Sequence, residues 1–366
     1  MMRHRFHSLC PYFAMFPESF AQYWIKRLTK PNDTILDPFS GRGTTALTAL
    51  LCGRKAISSD VNDVAICLTK AKTSAPSLGR LKARLSQLRK EFNPKAWQKA
   101  AREADEFFQY AYAPGTLGQL FYLRETLDWK ESRVDNMLAA LTLGSLHGEA
   151  SSKRYLSNQM PRTISTKPRY SVNFWKTRQL VAPERDVFAV LGDMAAYRYE
   201  SPMPKGDSIV LHTDMRNLPR VVESASDQPL QCCITSPPYL NVTSFEEDQW
   251  LRLWFLGGLP HPRKGVVSRD DRHGTADSYW SFIGDMWRCL GGIMADSAHV
   301  VIRIGSRRVS PELLKRGLSG CGQFSRRKVK LLSHRVTEIR KRQTDAFRPG
   351  TTGCVVELDC HFRFAD

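Results

Sequence analysis

Long apolar runs are missing from this 366-residue chain. Stretches such as Ala46–Cys52 stop far short of the ~18 residues a bilayer span needs, so no membrane partner is expected. Nor does the N-terminus read as a secretory leader: charges and Pro11 interrupt any apolar stretch, and no small-residue cleavage site follows. Cysteine occurs without arrangement. Positions 10, 52, 67, 232, 233, 289, 321, 354 and 360 form no C-x-x-C pair and no zinc spacing, which argues against a metal. Their odd number and apolar surroundings read as buried, reduced thiols, and a cytoplasmic location is expected. Repeats and low-complexity tracts are absent. Acid is scarce against base: 54 Lys+Arg face 36 Asp+Glu, a net +18 with a pI near 9.7. So large an excess repels itself unless a polyanion screens it, which steers the chain toward nucleic acid.

What is present suffices for a core. With 42% hydrophobic and 10% aromatic residues global disorder is excluded, and the length predicts two lobes or one α/β domain with an insertion. Glu18–Leu28 has helical periodicity, Thr34–Asp37 is a short apolar strand, Thr44–Cys52 a helix closing at Gly53, and Lys55–Ser59 a second strand ending at Asp60. Strand, glycine turn, helix and strand make a βαβ unit, which favours a parallel sheet. Residues 1–76 are therefore assigned to the first part of an α/β domain. Residues 77–204 read as a largely helical insertion, with helices over Leu81–Phe92, Ala96–Tyr112 and Asn136–His147 and an ordered loop over the basic, aromatic-bearing Ser151–Trp175. Residues 205–366 resume the α/β pattern, with strands at Ser208–His212, Gln231–Thr235 and His299–Ile304, a helix at Tyr279–Leu290 and a hairpin-like pattern over Gly353–Phe364.

Two constellations carry chemistry. The first is Asp37-Pro-Phe-Ser-Gly-Arg-Gly-Thr-Thr45, between strand and helix. Backbone passing close to a ligand needs glycine there, Asp37 could accept hydrogen bonds from a ligand amine, and the threonines could cap the following helix. Ala46 stands where a dinucleotide fingerprint has its third glycine, and the Gly-Lys-Ser/Thr ending of a P-loop is lacking. Asp60 at the end of the next strand is placed to take both hydroxyls of a ribose. The site would hold an amine-bearing nucleoside rather than a phosphate, a description that S-adenosylmethionine meets. The second is Thr235-Ser-Pro-Pro-Tyr-Leu-Asn241, after an apolar strand. The prolines stiffen the turn and leave carbonyls without local N–H donors. A serine hydroxyl and a proline carbonyl side by side can accept both N–H groups of an exocyclic base amine, which draws its lone pair out of conjugation. Tyr239 offers a face on which an extruded base could stack.

Together these segments resemble the two signature motifs of the amino-group DNA methyltransferases, which modify cytosine N4 or adenine N6. The resemblance implies a Rossmann-like S-adenosylmethionine-dependent methyltransferase fold. It implies a methionine-side pocket of Asp37, Pro38, Phe39, Ser40, Gly41, Gly43, Thr44 and Thr45, a ribose site at Asp60, Val61 and Asn62, and an adenine site at Asp214 and Met215. Pro11–Pro17 is similar to the segment that closes over the methionine. Ser236, Pro237, Pro238 and Tyr239 would form the catalytic clamp, and serine at its first position leans toward cytosine N4. The family more often places the clamp first. The reversed order here matches members whose target-recognition block lies between the motifs, which makes 77–204 the candidate. Duplex DNA would be the partner, with a cognate restriction endonuclease possible, and a prokaryotic nucleoid the setting.

Between Arg303 and Arg342 lie thirteen Lys/Arg against two Glu, which suits phosphate contact. The segment 340–353 suggests a loop near the substrate path. Tyr155, Tyr170 and Trp175 could stack bases or belong to a core. Cys232 and Cys233 read as structural thiols, since amino methylation needs no covalent step. Glu246, Glu247 and Asp248 could orient an amine, or simply favour a helix N-terminus.

Overall fold

The computed structural model describes residues 3–12, 16–161, 167–225, 229–240, 245–262, 275–306, 309–338, 354 and 356–365. Its helices are α1 (Glu18–Leu28), α2 (Thr44–Leu51), α3 (Asp63–Thr73), α4 (Leu78–Glu91), α5 (Pro94–Glu103), α6 (Glu106–Ala111), α7 (Pro114–Thr126), α8 (Arg133–Ser145), α9 (Pro168–Thr177), α10 (Val187–Arg198), α11 (Leu218–Ala225), α12 (Phe245–Phe255), α13 (Ala276–Ile293) and α14 (Pro311–Cys321). Its strands are β1 (Thr34–Asp37), β2 (Lys55–Asp60), β3 (Ser208–His212), β4 (Leu230–Thr235), β5 (Met294–Ser306), β6 (Lys328–Glu338) and β7 (Val356–Ala365). The chain divides into two units. A helical unit takes Met1–Phe13, Lys70–Met203 and Phe245–Gly265, and a sheet unit takes Ala14–Thr69, Pro204–Ser244 and Val266–Asp366.

In the sheet unit the strands run in the order β3-β2-β1-β4-β5-β7-β6. The first five are parallel, and β7 is antiparallel to both of its neighbours. Successive strand residues point to opposite faces, so Ile35, Cys232, Ile234 and Val301 pack with Phe20, Ile25, Ala46 and Ala49 of α1 and α2. Their neighbours Leu36, Cys233, Val300 and Ile302 pack on the other face with Val222 of α11, Trp287 of α13 and Leu318 of α14. Helices on both faces of a mostly parallel sheet make an α/β, Rossmann-like fold. From β1 the chain proceeds to β2 and β3 on one side, and β4 and β5 lie on the other. The order therefore reverses between β1 and β4, and in open α/β sheets it is outside the carboxyl ends of strands at such a reversal that ligands bind.

In the helical unit the caps are local. Ser77, Asn93, Ser132 and Asp186 each accept a backbone N–H at the start of α4, α5, α8 and α10. From Asp135 to Ser145 every residue of α8 is buried. Gly144 is required there, because a Cβ would lie 2.1 Å from the carbonyl oxygen of Leu9. Buried Asp135 takes a two-pronged ion pair from Arg84, at 2.9 and 3.2 Å.

Several sequence expectations change. The single helix over Ala96–Tyr112 is two, α5 and α6, because Ala104 and Asp105 are extended; Gln109 Nε2 donates to the carbonyls of Arg102 and Ala104 and stabilises that break. The end of the supposed loop Ser151–Trp175 folds as α9, with Pro168 in its first turn. Gly353–Phe364 supplies one strand, β7, and its hairpin partner is β6. Among the described residues, the basic stretch after Arg303 includes α14 and the edge strand β6.

Candidate active site

β1 ends at Asp37, which is buried. Its Oδ1 accepts from Phe39 N at 3.2 Å and from Thr235 Oγ1 at 2.7 Å. Burial pushes its carboxyl up to about 6, while hydrogen bonds from Thr235, Phe39 and Thr45 pull the other way. Among the described residues it has no ion-pair partner. The turn that follows bends through left-handed glycines, Gly41 at φ 49° and Gly43 at φ 72°. A Cβ on Gly43 would fall 2.7 Å from Thr69 Oγ1 and 3.0 Å from Thr69 Cα, so space as well as dihedral demands glycine.

Asp60, at the end of β2, fastens the turn from the neighbouring strand: Oδ2 accepts from Gly41 N at 2.9 Å and Oδ1 from Asn62 N at 3.0 Å. Ser40 N donates to the carbonyl of Ser59, and Ser59 Oγ to that of Pro38. Phe39 stacks tilted on Phe282. Asn62 accepts from Val64 N at the start of α3, and the Val61 carbonyl lies 3.1 Å from His212 Nε2 at the end of β3. The threonines do not cap α2 as expected. Gly43 is the cap residue with no side-chain bond, Thr45 Oγ1 donates to the Ile234 carbonyl, and Thr44 accepts from Arg42 Nε. Asp214 stands beyond β3, where both of its oxygens receive the guanidinium of Arg216. Met215 is a core side chain, packed near Leu218 and Val222.

The clamp leaves β4 at Thr235. Register fixes β4 beside β1, Ile35 opposite Cys232 and Leu36 opposite Cys233. The 2.7 Å Thr235–Asp37 bond then joins the two segments across 198 residues of sequence. Leu240 bridges to Ser306 at the end of β5. Between them Tyr239 is nearly buried, 9% exposed, so most of its ring is engaged by protein. Its hydroxyl donates to Glu357 Oε1 at 3.0 Å. Burial first and the Glu357 carboxylate second push the phenol well above its ordinary value, which keeps it protonated as a donor. Glu357 pairs with Arg303 at 3.3 Å, and Arg303 forms a two-pronged pair with Asp359 at 2.6 and 2.8 Å. Sequence reasoning missed this trio, although an arginine inside the apolar Val300–Ile304 and acids inside Val356–Phe362 were the visible signal. Cys232 and Cys233 are fully buried, with thiols pushed up by burial, in keeping with structural roles.

Features of the helical unit resolve separately. Trp175 is core, donating to the Gln159 carbonyl and packed on Phe107, whereas Tyr170 is exposed. Glu246, Glu247 and Asp248 occupy the first turn of α12, and Lys167 pairs with Glu247 at 2.8 Å. Among the described residues no cluster of three His, Cys, Asp or Glu could hold a metal, and no helix is long and apolar enough to cross a membrane. Phe13–Met15 of the Pro11–Pro17 segment, Asn241 after the clamp, and residues 340–353 lie outside the described residues.

Residues 3–71 match the N6/N4 methyltransferase family model, described as DNA methylase; the matched stretch holds the glycine turn and Asp60 and ends before the clamp. No curated protein matches the chain. Among solved structures the chain is similar to TrmN from Thermus thermophilus, at 13% identity over 99% of this chain and 52% of that one, with a TM-score of 0.38. It thus spans about half the length of that protein. It is also similar to the rRNA methyltransferase aviRa from Streptomyces viridochromogenes, at 13% identity over 99% of this chain and 90% of that one, TM-score 0.37. A third likeness is to an rRNA methylase from Streptococcus thermophilus, at 7% identity over 97% of this chain and 99% of that one, TM-score 0.35.

Proposed function

We propose that the chain is an S-adenosylmethionine-dependent methyltransferase acting on the exocyclic N4 of cytosine flipped out of duplex DNA. The observation that carries this reading is the Thr235–Asp37 hydrogen bond, with both segments at the carboxyl ends of adjacent strands where the sheet order reverses. A cofactor with a cationic amine fits the turn. Asp37 is a buried carboxylate without an ion-pair partner among the described residues, and the backbone at Gly41 and Gly43 leaves no side chain in the way. When bound, S-adenosylmethionine supplies a methyl group already activated by its sulfonium.

The residues of the chain do the rest by placement. Asp37 holds the amine, and Asp60, fixed by its bonds to Gly41 and Asn62, holds the ribose hydroxyls. Ser236 Oγ and the Pro237 carbonyl accept the two N–H groups of the base amine, turning its lone pair toward the methyl group, and Tyr239, tied to Glu357, holds the turn that carries them. Preorganised acceptors and alignment of this kind lower barriers without a metal. The exposed Arg316, Arg326, Lys328, Lys330 and Arg335 on α14, β6 and the turn between them give a cationic surface suited to phosphates.

Nucleoside mass spectrometry of duplex DNA incubated with protein and labelled cofactor tests the choice of base. N4-methyldeoxycytidine is expected. N6-methyldeoxyadenosine would overturn the base assignment, and label found only in RNA would overturn the choice of DNA.

A further inference from the structure

We propose that Glu357, held by Arg303 and Asp359, is a positioning residue that sets the Tyr239 ring for the clamp; the inference rests on the reading of Tyr239 as part of that clamp. Strand register builds the group. On β5 and β7, Arg303 faces Asp359 and Gly305 faces Glu357. Residues two apart in a strand share a face, so both acids and the arginine meet on one side of the sheet. Phe20 of α1 lies on that side, its ring 4.0 Å from the guanidinium. Gly305 opens the seat above them, since a Cβ there would be 2.9 Å from the Tyr239 ring and 2.5 Å from Cys354 Sγ.

Stability alone does not account for this group. Apolar residues of similar volume often replace a buried ion pair without loss, whereas removal of one partner strands a charge. What the trio provides is direction. Asp359 holds Arg303 along one edge, at Nε and Nη2, which aims Nη1 at the Glu357 carboxylate, whose Oε1 then fixes the Tyr239 hydroxyl at 3.0 Å. A phenol anchored at its far end cannot swing, and with Leu240 bridged to Ser306 the preceding Ser236-Pro-Pro segment is held at both ends.

The test compares Tyr239→Phe, Glu357→Gln, Glu357→Ala and the double variant Tyr239→Phe/Glu357→Ala, each first checked by circular dichroism melting. Glu357→Gln keeps an acceptor and guards against a variant that merely fails to fold. Tyr239→Phe and Glu357→Ala are each expected to lower kcat about tenfold with cofactor affinity unchanged. Glu357→Gln should recover most of that loss, and the double variant should be no slower than either single one. Folded Glu357→Ala with kcat within twofold of the unmodified protein, or fully additive losses in the double variant, would overturn the inference. The methyltransferase reading is judged apart from this, on whether the unmodified protein transfers methyl at all. Fluorine NMR of protein carrying 3-fluorotyrosine tests the positioning without turnover. The Tyr239 resonance, identified by its absence in Tyr239→Phe, should be sharp in the unmodified protein and shifted or broadened in Glu357→Ala. An unchanged resonance refutes the anchor even if the enzyme is active.

Discussion

The glycine turn and the proline clamp meet at the carboxyl ends of the central strands β1 and β4, yet different kinds of bond hold them there. The turn is fastened by short-range contacts: Phe39 N to Asp37, Gly43 N to the Ser40 carbonyl, and Gly41 N to Asp60, nineteen residues on. The clamp is fastened by partners far away in sequence. Thr235 reaches Asp37 across 198 residues and Tyr239 reaches Glu357 across 118. Backbone dihedrals shape the first half of the site, and side chains brought together by the completed sheet shape the second. The turn should therefore be most sensitive to changes of backbone shape, and the clamp to loss of the side chains that the sheet brings together.

Gly43→Ala breaks the turn side most severely. A left-handed dihedral and a Cβ against Thr69 backbone act together, with an expected loss of about 3 kcal/mol in chemical unfolding and no detectable cofactor binding by calorimetry. A variant with unaltered stability and binding would remove the steric account. Next, Asp60→Ala should weaken cofactor binding by about 2 kcal/mol, since one carboxylate both fixes Gly41 and is assigned the ribose. Unchanged affinity in a calorimetric titration would show the ribose assignment to be wrong.

The difference between the two halves also explains what was legible in the sequence. Glycines and an acid at successive strand ends are local signals, so the strands Thr34–Asp37 and Lys55–Asp60 and the turn between them could be read directly. The Ser-Pro-Pro-Tyr turn was visible too, but its support was not, because Glu357 meets Tyr239 only through the pairing of β5 with β7. In the helical unit, α7 and α10 escaped notice because they bury residues on several sides and lose the one-sided periodicity that marks a surface helix. Trp175 could not be told from a base-stacking aromatic until its indole N–H was seen on the Gln159 carbonyl.

Asp37 sharpens the comparison because it belongs to both halves. Its carboxyl is raised in the folded chain to about 6, so the folded state holds the proton more tightly than the unfolded one. Ionised Asp37 thus weakens the fold, fully above pH 6 and not below the ordinary carboxylate range. Asp37→Asn should gain about 3 kcal/mol of stability relative to the unmodified protein at pH 7.5, with the gain fading toward pH 4, while cofactor binding falls. Denaturant titrations at several pH values check this, and a gain that grows on acidification would reverse the sign. The smallest expected effect is that of Thr235→Val, which removes the tie between the halves while keeping side-chain shape. About 1 kcal/mol of stability should be lost, and the Asp37 titration seen by NMR should move further upward.

The most direct test of the whole account is transfer of labelled methyl from S-adenosylmethionine to duplex DNA by the unmodified protein and by Tyr239→Ala, with cofactor binding measured on both. The account predicts that both bind the cofactor, that the unmodified protein labels DNA on cytosine N4, and that Tyr239→Ala labels it at least ~100-fold more slowly. Equal labelling by the two, or cofactor binding with no labelling of DNA by either, would contradict it.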